Sequence, residues 1–105
     1  MKDGQRQLNL RHGERLAALD EYLREGQHSL ALEYMRRILG DPKIPAEVRI
    51  TVRAKEVDAL LGLNRPIEAY VAAKQVEALI GRHRLFHLEE AVAPALHLAR
   101  QKHGA

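Results

Sequence analysis

The chain has no cysteine, no tryptophan and one phenylalanine among 105 residues. Without cysteine there can be no disulfide, no cysteine-held zinc and no thiol nucleophile. Serine occurs once, at Ser29, and threonine once, at Thr51, and no glycine-rich phosphate loop or serine elbow is present. The carboxylates lie beside Arg or Lys in patterns typical of solvated surface pairs, so the chain is not expected to be an enzyme, and no cofactor is implied. No apolar run approaches the roughly 20 residues of a membrane span. The opening MKDGQRQLNLRHGERL is polar where a secretory leader would carry its apolar segment, so a soluble cytoplasmic protein without a membrane partner is expected. Aromatics make up 4%, which leaves Leu, Ala, Val and Ile to build the core. β-Branched runs are also missing, which argues against strands.

What is present is helix-forming. Ala, Leu, Arg and Glu dominate and 46% of residues are apolar, enough for one domain with a single core. The formal net charge is +3, but acids and bases alternate along each segment, as on a solvated helical surface. Residues 1–13 show no sustained period and read as a loose arm. From Glu14, Leu16, Leu19 and Leu23 with Tyr22 recur at three-and-four spacing, the signature of an amphipathic helix, and Gly26 is placed to end it. A second helix carries Leu30, Ala31, Tyr34, Met35 and Ile38 on one face and stops at Gly40-Asp41-Pro42, after which residues 41–44 are expected to form an extended link.

Pro45 suits the first position of a third helix reaching Leu63, with Glu47 at the positive end of its dipole. Ile50, Ala54, Val57 and Leu61 form one stripe there, and Val48, Val52, Ala59, Leu60 and Leu63 another. So wide an apolar arc predicts a central helix sandwiched by neighbours. After Asn64-Arg65-Pro66 a fourth helix carries Ile67, Tyr70, Val71, Ala73, Val76, Ala78 and Ile80, and Gly81 is expected to break it. Residues 84–103 resume a helical period at Leu85, Leu88, Val92, Leu96 and Ala99. This last helix is the expected cover for the fourth, with a kink or division at Pro94.

Superposing the first two helices on the next two aligns Gly26 with Asn64, an offset of 38 residues. The same offset sets Leu19 on Val57, Asp20 on Asp58, Leu23 on Leu61, Ala31 on Ala69 and Ile38 on Val76. Two hairpins at such a period indicate a helical repeat. The pattern resembles the tetratricopeptide repeat over residues 14–81: a small residue or Asn ends the first helix, an alanine follows five positions later, Tyr22 matches the first-helix aromatic, and Asp41-Pro42 resembles the repeat ending. The likeness is to a degenerate member. Arg15 and Arg53 stand where an aromatic is usual, Leu19 and Val57 replace a glycine, and the link at residues 41–47 is longer than the family's roughly 34-residue period accommodates.

The resemblance implies an all-α fold of two hairpins, about residues 14–40 and 45–80, and a C-terminal capping helix at about residues 84–103. It also implies a partner-binding face made by the first helices, comprising Leu16, Asp20, Leu23 and Arg24, then Thr51, Ala54, Asp58 and Leu61. The two aspartates would repel a peptide's terminal carboxylate. The expected role is a protein interaction module, a small adaptor or chaperone-like helper. A second copy of the chain is the rival occupant, giving a homodimer. A small basic nucleic-acid-binding regulator is the alternative, resting on Arg36, Arg37, Arg82 and Arg84, which stacked hairpins would gather into one patch. His83 and His87 are four apart, the spacing of metal ligands on one helical turn, but lack the adjacent glutamate of a helical zinc motif.

Overall fold

The computed structural model describes residues 2–104, with side chains from His12 onward. The chain forms five α-helices packed on one another: α1 (Lys2–Arg24), α2 (His28–Leu39), α3 (Ala46–Gly62), α4 (Pro66–His83) and α5 (Glu89–Gly104). A short 3₁₀ turn at Phe86–Leu88 precedes α5. Among the described residues there is no strand. No helix is long and apolar enough to cross a membrane.

Local chemistry accounts for the ends of these helices. At the end of α1, Gly26 takes a left-handed φ of 75°. Its N–H bonds the carbonyl of Leu23 and that of Gln27 bonds Tyr22, the crossed pair that satisfies the carbonyls freed at a helix end. The same pair closes α3, where Asn64 (φ 59°) donates to Leu61 and Arg65 to Leu60. Asparagine tolerates this conformation better than most side chains do. Pro66 then opens α4, where its missing N–H costs nothing.

Four expectations are corrected. Gly81 does not end α4; the helix runs to His83, and Arg84 takes the left-handed position (φ 55°) while Leu85 donates back to Ile80. Leu85 packs against the core, so burial of this residue sets where the chain turns. Residues 41–44 are a turn rather than an extended link: Asp41 Oδ1 accepts the N–H of Lys43 at 2.9 Å and its carbonyl accepts that of Ile44, whose side chain is buried. Of the kink or division expected at Pro94, the division is absent: Pro94 lies inside α5, and the irregular turn falls before the helix. Finally, α1 begins at Lys2, so the segment expected as a loose arm belongs to that helix. No proline or β-branched run opposes helix there.

The third helix is central, as its two stripes predict. It packs against α1, α2, α4 and α5. Its buried residues Ile50, Val52, Ala54, Val57, Ala59 and Leu60 point to more than one side, and Ile50, Val52, Val57 and Ala59 are fully enclosed. Across from them lie Leu19 of α1, Ala31, Met35 and Ile38 of α2, Ala69, Ala73, Val76 and Ile80 of α4, and Val92, Leu96 and Ala99 of α5. The residues related by 38 positions match in burial: Leu19 with Val57, and Ala31 with Ala69, are all inaccessible. Consecutive helices pair throughout, and α3 additionally touches both α1 and α5. The helix α5 therefore sits beside α3 and α4 as α3 sits beside α1 and α2.

Candidate functional site

The side-by-side placement of α1, α3 and α5 is what builds the site. Between α3 and α5 runs a groove of about 370 Å³. From α3 it is lined by Thr51, Ala54, Lys55 and Asp58; the opposite wall is apolar, with Leu88, Ala91, Val92, Pro94, Ala95 and Leu98. Leu98 is 40% exposed, a large apolar side chain left facing solvent. Thr51 brings little polarity, because its hydroxyl donates to the Glu47 carbonyl one turn back at 2.8 Å. Such back-bonding satisfies the donor within the helix.

The charges in this face are unevenly matched. Lys55 is bonded to Asp20 across the α1–α3 contact. Among the described residues, Asp58 has no cation within 4.0 Å. Crowding by its neighbours withdraws its carboxyl from water and raises its pKa, Lys55 pulls it back down, and the nearby Asp20 raises it further. Although the residue as a whole is exposed, its carboxylate is an incompletely compensated negative charge beside an apolar wall.

Of the residues expected to line a partner-binding face, Thr51, Ala54 and Asp58 stand together in this groove. Asp20 joins them through Lys55. Leu16, Leu23 and Leu61 are half-buried and pack against the core, and Arg24 is exposed at the last turn of α1. Lys55 and the α5 wall escaped the sequence reading. The wall's signal was present in Ala91, Pro94, Ala95 and Leu98, a stripe at three-and-four spacing distinct from the Leu85 to Ala99 core stripe.

The four arginines read as one patch are only partly gathered. Arg36 lines a groove of about 300 Å³ with Leu32, Leu60 and Val71. Arg82 lines an adjoining one of about 250 Å³ with Arg49 and Arg53. Gln75 borders both. Neither groove includes Arg37 or Arg84; Arg37 is exposed on α2, and Arg84 is held in the backbone turn after α4. The two histidines are also separated in structure. His83 ends α4 and His87 lies in the 3₁₀ turn beyond the left-handed Arg84, so they do not share a helical face. His87 Nε2 instead lies 3.7 Å from Glu47 Oε1. Among the described residues, no three His, Cys, Asp or Glu side chains are grouped to hold a metal.

A larger groove of about 570 Å³ separates α4 from α5 and is bordered by Phe86, Leu96 and His97. Glu77 and Arg100 meet in it as an ion pair. Farther along the same interface, His103 stacks on Tyr70, with ring centroids 3.9 Å apart. These contacts fasten α5 to α4. Comparison with family models, with curated proteins and with solved structures finds no match to the chain.

Proposed function

We propose that the protein is a non-catalytic, tetratricopeptide-like interaction module of the adaptor or chaperone-like kind. It holds a short segment of a protein partner in the groove between α3 and α5. The observation that carries this reading is the pairing of an open apolar wall, including the exposed Leu98, with the partly uncompensated carboxylate of Asp58. A segment with aliphatic side chains and one lysine or arginine would cover the wall and supply the missing positive charge. The matched burial of residues 38 positions apart, and the repeated turns at Gly26 and Asn64, support the repeat reading. In such an array the first helices form the binding face, and the contacts of α3 with α1 on one side and α5 on the other support that reading.

Selection from a displayed peptide library tests the proposal. Enriched peptides should carry one basic residue among aliphatic ones. Leu98→Asp and Asp58→Lys should each weaken their binding about tenfold, corresponding to roughly 1.4 kcal/mol. Enriched peptides that bind both variants as tightly as the parent would refute this site.

A further inference from the structure

The fourth helix carries a face that α5 leaves uncovered. Ile67, Val71, Gln75, Ala78 and Arg82 follow one another at intervals of three or four, so they form one stripe along α4. All five are exposed, Ile67 at 70% and Val71 at 52%. The stripe spans about 22 Å at 1.5 Å per residue. Its character changes along its length. At the start of α4, Ile67 and Val71 border a depression whose floor includes the buried Leu32 of α2 and Leu60 of α3. Toward the end of α4, Arg82 is joined by Arg49 and Arg53 of α3.

The basic end has spare positive charge. Glu56 is engaged by Arg53 at 3.1 Å. Arg49 donates to the Leu39 carbonyl at 3.3 Å, which leaves its positive charge without a counter-ion. Neither Arg49 nor Arg82 has a carboxylate within 4.0 Å among the described residues. At the apolar end the depression is bordered by Arg36 and by two carboxylates, Glu56 and Glu68, so it carries no excess of positive charge. The surplus is therefore confined to the end near Arg82.

We propose that this stripe is a second docking surface, for an amphipathic helix of a protein partner with apolar residues at one end of its face and carboxylates at the other. Aliphatic side chains would fill the depression beside Ile67 and Val71, and carboxylates would meet the Arg49, Arg53 and Arg82 guanidinium groups. Arginine's planar fork suits carboxylates. A nucleic-acid backbone would engage the arginines alone and gain nothing from the apolar half. This surface lies on α2, α3 and α4 and does not depend on the groove at Asp58.

The probe is a fluorescein-labelled helical peptide of about 15 residues, matched to the stripe's length. It carries leucines at three-and-four spacing in one half and glutamates on the same face in the other. Its anisotropy should report binding that weakens at least tenfold on Val71→Asp and on Arg82→Glu and is unchanged on Asp58→Lys. A probe with lysines replacing the glutamates should bind Arg82→Glu better than the parent. Circular dichroism checks that each variant is folded. The proposal is overturned if the acidic probe fails to bind the parent or binds folded Val71→Asp and Arg82→Glu undiminished. It is equally overturned if a random DNA duplex outcompetes the probe, or if the protein forms a dimer that Val71→Asp dissolves, since a second copy would then be the occupant.

Discussion

The two hairpins share a plan and differ in how closely their helices meet. In the first, Tyr22 of α1 and Tyr34 of α2 are in edge-to-face contact, with ring centroids 6.0 Å apart. The corresponding positions in the second are Leu60 and Ala72. With Ala69, Ala72 and Ala73 all buried on α4, small side chains dominate that contact, and among the described residues α3 and α4 form the most extensive helix pair. Aromatic rings hold the outer hairpin together from its margin. Close approach over alanine holds the inner one, which must also accept α5. The same sequence period thus supports two packing solutions, according to whether the hairpin is covered on one side or two.

Exchanging these solutions should have unequal effects, the largest of those expected here. Ala69→Tyr places a ring at a fully enclosed position of α4, and overpacking of that kind costs about 3 kcal/mol. Tyr34→Ala removes a half-buried ring that borders solvent, and should cost about 1.5 kcal/mol, below the roughly 3–5 kcal/mol of a fully buried aromatic because part of the ring is already in water. Urea unfolding of the two variants checks the order. If Tyr34→Ala is the more damaging, close approach is not what distinguishes the inner hairpin.

A smaller effect is expected where the hairpins meet. A Cβ added to Gly62 would come within 2.5 Å of His28 Cε1, because the imidazole at the start of α2 lies against the end of α3. Gly62→Ala must displace that ring and should cost about 1–2 kcal/mol. The corresponding position of the first hairpin is Arg24, exposed at the open end of the molecule, and Arg24→Ala should change stability by less than about 0.5 kcal/mol. Adding His28→Ala to Gly62→Ala should recover part of the loss, a coupling that a thermal-melt double-mutant cycle reads directly.

Much of the architecture was legible because local signals agreed with packing. The turns at Gly26 and Asn64, the central position of α3 and the alignment of Ala31 with Ala69 all follow from periodicity and turn chemistry. Gly81 misled because glycine marks a helix end only when tertiary contacts ask for one, and here Leu85 must reach the core first. Ile67 and Val71 misled in a different way. Their spacing declares an apolar face, but which side of α4 the last helix covers depends on Glu77, Tyr70 and their partners Arg100 and His103, contacts across more than 20 positions of sequence that no local pattern encodes. Arg36 and Arg82 were separated from Arg37 and Arg84 for the same reason, and Lys55 became visible only once α1 and α3 stood side by side.

The smallest expected effect comes from the two aspartates that the 38-residue offset equates. Lys55 of α3 meets Asp20 of α1; α5, which packs beside α3 as α3 packs beside α1, offers Asp58 the side chains of Ala91, Val92, Ala95 and Leu98 instead. Burial among such neighbours raises the Asp58 pKa above its ordinary 3.8. An acid whose folded pKa is raised binds more protons folded than unfolded between the two pKa values, so stability falls as pH rises through that window and is level beyond it. Asp58→Asn removes the penalty. Its melting temperature should match the parent's at a pH below the ordinary carboxylate range and exceed it at neutral pH. Asp20→Asn should do the opposite at neutral pH, because it strips Lys55 of its partner, though an exposed pair of this kind is worth at most about 1 kcal/mol. If the two variants shift together at neutral pH, the aspartates share one environment, and the uncompensated charge on which the proposed choice of a basic segment rests does not exist.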